Sequence, residues 1–271
     1  MDKKVVLITG ASSGMGKETA KLLLQKGYIV YVAARRVVMM EDLGRLGAKV
    51  LAMDVTDDAA MVKGIATIVQ AEGRIDVLVN NAGFGSYGAV EDVPISDAKY
   101  QLDVNVFGAA RLIQLVLPHM RQQHFGRIIN ISSIGGKIAT PLGAWYHASK
   151  FALEGLSDSL RGEVKSFGID VVVIEPGGVK SEWSDIAAEN LVKISGNGAY
   201  KSFVKKFADL IKSQGHRASE PGVIATLIQR AIEAKQPKTR YKGGFGATPL
   251  LFLRKVLSDR MMDKIFMFPL K

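Results

Sequence analysis

Residues 5–16 read Val5-Val6-Leu7-Ile8-Thr9-Gly10-Ala11-Ser12-Ser13-Gly14-Met15-Gly16, and the residues up to Gln25 continue with apolar side chains at helical spacing. A short β-branched run that breaks into glycines and then into a helical pattern is a strand, a turn and a helix. Gly10 permits a tight turn, Gly14 lets the backbone approach a bound group, and Gly16 lets helix and strand pack closely. The stretch Ser12-Ser13-Gly14-Met15-Gly16 then offers backbone N–H groups and the positive end of a helix dipole to an anion. In this context the glycine trio fits the pyrophosphate of a dinucleotide.

Working outward, the same rhythm recurs. Apolar, β-branched runs lie at Ile29–Ala33, Val50–Met53, Val77–Val79, Ile128–Ile131 and Val171–Ile174, with helical patterns between them, among them Ala60–Gln70, Ala98–Met120 and Phe151–Val164. Continuous apolar strands alternating with helices imply a parallel sheet covered on both faces. The expected fold is α/β: a doubly wound, Rossmann-type parallel sheet in the order 3-2-1-4-5-6. A run at Thr239–Lys242 is expected to add a seventh strand. No linker divides the chain, so residues 1–271 are expected to form one domain. After Ile174 the pattern changes: residues 181–199 are polar and glycine-punctuated, helices are predicted near 202–213 and 220–234, and 249–268 reads as one amphipathic helix. Insertions at this point of an open sheet lie at the carboxyl ends of the strands. Residues 178–220 are therefore expected to be a substrate loop or lid, and 245–271 a basic amphipathic extension.

The second strand ends Ala33-Ala34-Arg35-Arg36. An acidic residue there would suit the ribose hydroxyl of NAD, whereas Arg35 and Arg36 suit a 2′-phosphate, which points to NADP(H). Asp54-Val55, ending the third strand, is placed for the adenine, with Asp54 equally able to cap a helix.

Tyr146 and Lys150 are four apart at the head of a helix and share one face. A phenol is a poor base near its ordinary pKa of ~10. A neighbouring ammonium and an oxidised nicotinamide would favour the phenolate, so Tyr146 could exchange a proton with an alcohol or carbonyl. Ser133, thirteen residues earlier at a strand end, can hold the substrate oxygen. Asn105 is a poor helix residue, expected to bind water beside Lys150.

In order and spacing, TGASSGMG, Asn80-Asn81-Ala82-Gly83, Asn105, Ser133, YHASK and Pro176-Gly177 resemble the short-chain dehydrogenase/reductase superfamily over residues 1–180. The resemblance implies a tetrad of Asn105, Ser133, Tyr146 and Lys150. It implies a cofactor lined by Asn81, Ala82 and Gly83, with Lys150 also on the nicotinamide ribose. Pro176, Gly177 and Val179 would hold the nicotinamide, with Ser181 where the family often has Thr. It also implies homo-oligomers, dimer or tetramer, through the 98–120 and 151–164 helices. The tail resembles retinol, hydroxysteroid and lipid dehydrogenases rather than β-ketoacyl-carrier reductases, which implies a hydrophobic alcohol or carbonyl substrate. Phe84, Tyr87, Leu142, Trp145 and Trp183 are candidates for the pocket rim. A sugar-nucleotide epimerase or dehydratase, an enoyl reductase and a non-catalytic NADP(H) sensor are the alternatives. They fit the glycine spacing, the Tyr–Lys separation and the retained Tyr146 less well.

Composition sets the outer limits. The chain has 271 residues, no Cys and four His, at 48% hydrophobic and 23% charged. That excludes a disulfide scaffold, a thiolate-held zinc and a Cys nucleophile, and no two His have metal-ligand spacing. No apolar run is long enough for a bilayer span, and Val5–Ile8 is too short for a signal peptide, so a cytoplasmic protein is expected. Residues 200–271 carry fifteen Lys/Arg against five Asp/Glu, which is the whole of the net +10. So local an excess, without a nucleic-acid motif, argues against nucleic acid and leaves a solvated face, an anionic ligand, an acidic partner or a membrane surface as its readings.

Overall fold

A computed structural model describes residues 3–181 and 183–268. Its strands are β1 (Val5–Thr9), β2 (Ile29–Ala34), β3 (Lys49–Ala52), β4 (Val77–Asn80), β5 (Gly126–Ile131), β6 (Ile169–Pro176) and β7 (Arg240–Gly243). Among the described residues they form one sheet in the order β3-β2-β1-β4-β5-β6-β7, with every pairing parallel. The expected order holds, and β7 extends it beyond β6.

Alternate residues along each strand feed two cores, as the period of two demands. Val6, Ile8, Val30, Val32, Val77 and Val79 face α1 (Gly14–Gln25) and α9 (Gly222–Glu233) through Ala20, Leu23, Ile224, Ile228 and Ile232. Val5, Leu7, Tyr31, Leu78, Ile128 and Val171 face the opposite side. There α3 (Asp58–Glu72), α5 (Gly108–Gln122) and α6 (Ala144–Val164) supply Ile65, Ile68, Leu112, Val116 and Leu160. Each such side chain contributes about 1.5–3 kcal/mol on burial. Polar groups join the two layers as well. Buried Arg127 on β5 donates from Nη1 to the carbonyls of Ala231, Ile232 and Ala234 at 2.6, 2.7 and 2.9 Å. Its Nη2 donates to Asp170 at 2.8 Å. A cation at the negative end of a helix satisfies carbonyls that have no partner within it.

Helices α2 (Glu41–Arg45), α4 (Ile95–Leu102), α7 (Trp183–Ser195), α8 (Lys201–Gly215), α10 (Ala247–Val256) and α11 (Asp259–Met267) complete the elements. Three expectations are corrected. The pattern over 98–120 is not one helix: a π-helical turn at Asp103–Phe107 separates α4 from α5. The polar stretch after Ser181 contains α7, because Ala187 and Leu191 bury against α8 and tertiary packing overrides local composition. The 249–268 segment is two helices, α10 and α11, since Leu257 and Ser258 are extended between them. The α7–α8 excursion leaves and rejoins the sheet at one narrow neck. Val179 bridges Ser219, Lys180 N–H donates to the Ser219 carbonyl, and Ser219 N–H donates to that of Gly178.

Candidate active site

β1 delivers Thr9 and Gly10 to the carboxyl edge of the sheet, where Gly10 turns with φ +65°. A Cβ on Gly10 would lie 2.7 Å from Ala82 Cα, and one on Gly16 would lie 2.5 Å from Asn81 Nδ2, so neither position admits a side chain. Asn81 staples the two loops: its Nδ2 donates to the Thr9 and Gly10 carbonyls at 2.9 and 3.1 Å. Thr9 Oγ1 in turn accepts from the N–H groups of Asn81 and Ala82. At the start of α1, Ser13 is extended and makes no side-chain hydrogen bond to the first turn, which contains no acidic residue. The amides of Gly14, Met15 and Gly16 are those an α-helix leaves without internal acceptors. Ser181 closes the turn from above, with its Cβ 3.6 Å from where a Gly14 Cβ would be. Arg36 Nη2 donates to the Ser12 hydroxyl at 3.4 Å, beside the turn. A cradle that excludes side chains and a bare helix N-terminus fit the pyrophosphate of a dinucleotide, with the Arg36 guanidinium beside them. At the far edge of the cradle Pro176 ends β6. Gly177 N–H bonds to the Gly243 carbonyl at 2.8 Å, and Val179 sits at the neck.

α6 brings Tyr146 and Lys150 inward, both buried. Lys150 Nζ donates to the Ile131 carbonyl at the end of β5, at 2.8 Å. Two residues on, the Ser133 hydroxyl accepts from Gly135 N–H at 2.9 Å and hydrogen-bonds to the Tyr146 phenol. Burial pushes the Tyr146 phenol above its ordinary value, and the Ser133 bond pulls against that. Burial lowers Lys150 to about 8, opposed by the Glu154 carboxylate one turn along. The ammonium therefore predominates at pH 7. In the chain by itself burial outweighs the Ser133 bond, so the phenol sits above its ordinary value.

The π-helical turn presents Asn105. Its Oδ1 accepts from Phe84 N–H at 3.0 Å, and its Nδ2 donates to the Phe84 carbonyl and to Ser149 Oγ, each at 2.9 Å. Asn105 thus braces the Phe84 loop against the Tyr146 helix. Gly83 lies between Asn105 and Lys150, where a Cβ would be 3.1 Å from Asn105 Oδ1 and 3.5 Å from Lys150 Nζ. Above the phenol is an apolar cover in which Ala187, Leu191, Val204 and Phe207 of α7 and α8 pack with Tyr87, Leu142 and Tyr146. The Tyr87 ring centroid is 5.9 Å from that of Tyr146 and 6.3 Å from that of Phe207, with Phe203 6.4 Å beyond.

The model of the short chain dehydrogenase family matches residues 4–191. The chain belongs to the short-chain dehydrogenase/reductase family. It is 36% identical over 266 residues to 3-ketodihydrosphingosine reductase of Bacteroides thetaiotaomicron, covering 97% of this chain and 96% of the relative. It is 33% identical over 282 residues to the NADPH-dependent 3-dehydrocapnine reductase of Ornithobacterium rhinotracheale, covering 99% and 98%. Among solved structures, a short-chain dehydrogenase from Streptomyces avermitilis superposes with a TM-score of 0.83 at 31% identity, covering 98% and 97%. The family is one of oxidoreductases that act on alcohol and carbonyl groups.

For this short-chain dehydrogenase/reductase, not every expected residue sits where its reading put it. Asp54 Oδ1 accepts from the Thr56 N–H at 3.0 Å and the Thr56 hydroxyl at 2.8 Å, and the helix cap that was its alternative role is made by Asp57 instead. Val55 beside it is buried. Arg35 donates to the Tyr100 hydroxyl at 2.8 Å and lies 4.0 Å from Asp54, on the side away from Ser12. Phe84 packs against Tyr100, ring centroids 5.6 Å apart and tilted by 43°, and is not among the residues of the cover over Tyr146. Trp145 is half-buried, and the Trp183 side chain lies outside the described residues. Sequence reasoning missed Ser149, whose hydroxyl links Asn105 to the Tyr146 carbonyl. A serine inside a long helix was its only signal. It also missed Phe203 and Phe207, which read as one more amphipathic stripe.

Proposed function

We propose that this chain is an NADP(H)-dependent reductase of a hydrophobic, long-chain ketone, working in the cytoplasm. The observation that carries the reading is the Tyr146 phenol, hydrogen-bonded to Ser133, beneath an apolar cover made by α7 and α8. In this reading residues 178–220 are the substrate lid and Asn105, Ser133, Tyr146 and Lys150 are the working residues. The dinucleotide, when bound, supplies hydride to the carbonyl carbon. Ser133 donates to the carbonyl oxygen and holds it against Tyr146. As negative charge grows on that oxygen, Tyr146 gives up its proton to it, acting as general acid. Lys150, fixed on the Ile131 carbonyl, supplies the positive field that stabilises the resulting phenolate. Burial raises the phenol, so the proton it is to give up is in place beforehand. Ser12, Ser13, Gly14, Met15 and Gly16 would hold the pyrophosphate, Arg36 and Arg35 the 2′-phosphate, and Asp54 and Val55 the adenine end. Asn81, Ala82 and Gly83 would line the middle, and Pro176, Gly177, Val179 and Ser181 the nicotinamide.

The aliphatic preference draws on the two relatives, one named for 3-ketodihydrosphingosine and the other for 3-dehydrocapnine. It is tested by NADPH oxidation. With 3-ketodihydrosphingosine, kcat/KM should exceed that for butanone by at least about 10²-fold, since each buried methylene contributes about 0.8 kcal/mol. Equal values would remove the long-chain reading.

Two partner readings accompany it. Exposed Phe107 and Phe151, at 61% and 45%, support homo-oligomers through α5 and α6. Exposed Phe252, Val256, Met261, Ile265 and Phe268 on and beside α10 and α11, interleaved with Lys255, Arg260 and Lys264, support contact with an anionic membrane surface. No helix among the described residues is long and apolar enough to cross a membrane. With phosphatidylglycerol vesicles at low salt, the Phe252→Ser/Phe268→Ser variant should co-sediment at least about tenfold less than the unaltered chain. Equal sedimentation would dismiss the contact.

A further inference from the structure

Next to Tyr146 stands a buried histidine that the proposed chemistry does not use. The His147 ring is 5% exposed and both of its nitrogens are engaged. Thr140 N–H points at Nε2 from 3.0 Å, and the Thr140 hydroxyl lies at the same distance. A backbone N–H can only donate, so Nε2 is the acceptor and the proton resides on Nδ1. Nδ1–H then donates to the Gly135 carbonyl at 3.0 Å. Gly135 is the residue whose own N–H bonds to Ser133 Oγ. The Ser133 hydroxyl and the imidazole thus hold the two peptide groups on either side of Gly135 Cα, and the imidazole reaches on to Thr140. The imidazole belongs to the residue that follows Tyr146.

We infer that His147, as a neutral imidazole protonated on Nδ1, is a positioning residue that clamps the Ser133 segment to the Tyr146 helix. The inference rests on the proposed function, in which Ser133 and Tyr146 must meet the same substrate oxygen. A second feature of the segment calls for such a clamp. Leu142, a residue with a side chain, is held at φ +63°, a conformation that persists only where its surroundings fix it. The fixing contacts are Gly88 N–H to the Leu142 carbonyl at 2.8 Å, His147 N–H to the Gly143 carbonyl at 2.9 Å, and the ring itself. A Cβ on Gly143 would come within 2.9 Å of His147 Nε2 and 2.7 Å of Tyr87 Cε1. The His147 ring thus ties Gly135 and Thr140, both within the 133–143 segment, to the Tyr146 helix, and small displacements of such groups cost large factors in rate.

The clamp has a pH sign. Besides Thr140 and the Gly135 and Gly143 backbone, the neighbours on the ring are Tyr87 and Tyr146, both phenols raised by burial. Burial also holds His147 below its ordinary value, opposed only by the Gly135 bond. Protonation would set an Nε2–H against the Thr140 N–H, donor against donor. The clamp is fully present above the unfolded value of 6.5 and is lost as the pH falls toward the lower folded value.

Three variants in the full chain test this, with NADPH and 3-ketodihydrosphingosine as probes. His147→Phe keeps a ring and loses both polar bonds; kcat should fall ten- to a hundredfold while the NADPH Kd stays within twofold. His147→Gln restores one donor and one acceptor, and should recover most of the rate. The unaltered enzyme should show an acid-limb inflection below pH 6.5 that this variant lacks, because an amide does not titrate. With four histidines in the chain, ¹⁵N spectra at pH 7.5 should display one ring fixed in the Nδ1–H tautomer. An Nε2–H tautomer, a fully active His147→Phe, or the same acid limb in His147→Gln would overturn the inference. Should Tyr146→Phe keep its activity, the proposed function fails instead. An inactive Tyr146→Phe beside a fully active His147→Phe fails the clamp alone.

Discussion

The Tyr146→Phe variant should lose about 10²–10⁴ in kcat, the range a positioned general acid contributes, with NADPH binding nearly unchanged. The substitution removes one oxygen and keeps the ring that packs against Tyr87, so the apolar cover remains in place. The lost atom is the one that hydrogen-bonds to Ser133 and is proposed to protonate the substrate oxygen. Water cannot readily replace it, because Tyr146 is only 9% exposed. Single-turnover oxidation of NADPH, with cofactor affinity read by fluorescence, separates the two quantities. Turnover near that of the unaltered enzyme would remove Tyr146 from the chemistry.

The second large effect concerns the cofactor's distinguishing phosphate. Losing charge-assisted hydrogen bonds to a phosphate costs about 1.5–3 kcal/mol, roughly ten- to more than a hundredfold in affinity. Replacing Arg35 and Arg36 together by Ala should weaken NADPH by that amount and leave NADH within a factor of about two. Most of the loss should lie in Arg36→Ala, because Arg36 reaches Ser12 beside the phosphate turn, whereas Arg35 is engaged by Tyr100 and Asp54. Calorimetric titration of both dinucleotides into each variant decides it. Equal losses for the two would mean that the guanidinium pair does not read the 2′-phosphate.

How much of this was open to reading from residues alone depended on whether the deciding force was local. The strands β1 to β6 and the turn at Gly10–Gly16 carry their own signals, and those expectations stand. The π-helical turn at Asp103–Phe107 does not: residues 98–120 keep apolar periodicity straight through it. The break depends on Asn105 bonding to Phe84 and Ser149, partners 21 and 44 residues away. α7 is hidden for a related reason, since its polar sequence becomes helical by burying Ala187 and Leu191 under α8. At the site, residue types and spacing located Tyr146, Lys150 and Ser133. They could not tell that Asp54 would turn toward Thr56, nor that Arg35 and Arg36 would point to different neighbours. Side-chain direction after a strand end is set by what the rest of the fold brings alongside.

Because the chain departs for α7 at Val179 and returns at Ser219, directly opposite, everything between them hangs from a single pair of adjacent backbone positions. Lengthening or replacing that excursion leaves all six strand pairings untouched, and doubling its length adds only about 0.6 kcal/mol of closure entropy. The molecule is in effect a fixed chassis with an interchangeable fitting, and one ancestral framework can be re-tooled for new molecules by exchanging a forty-residue cassette.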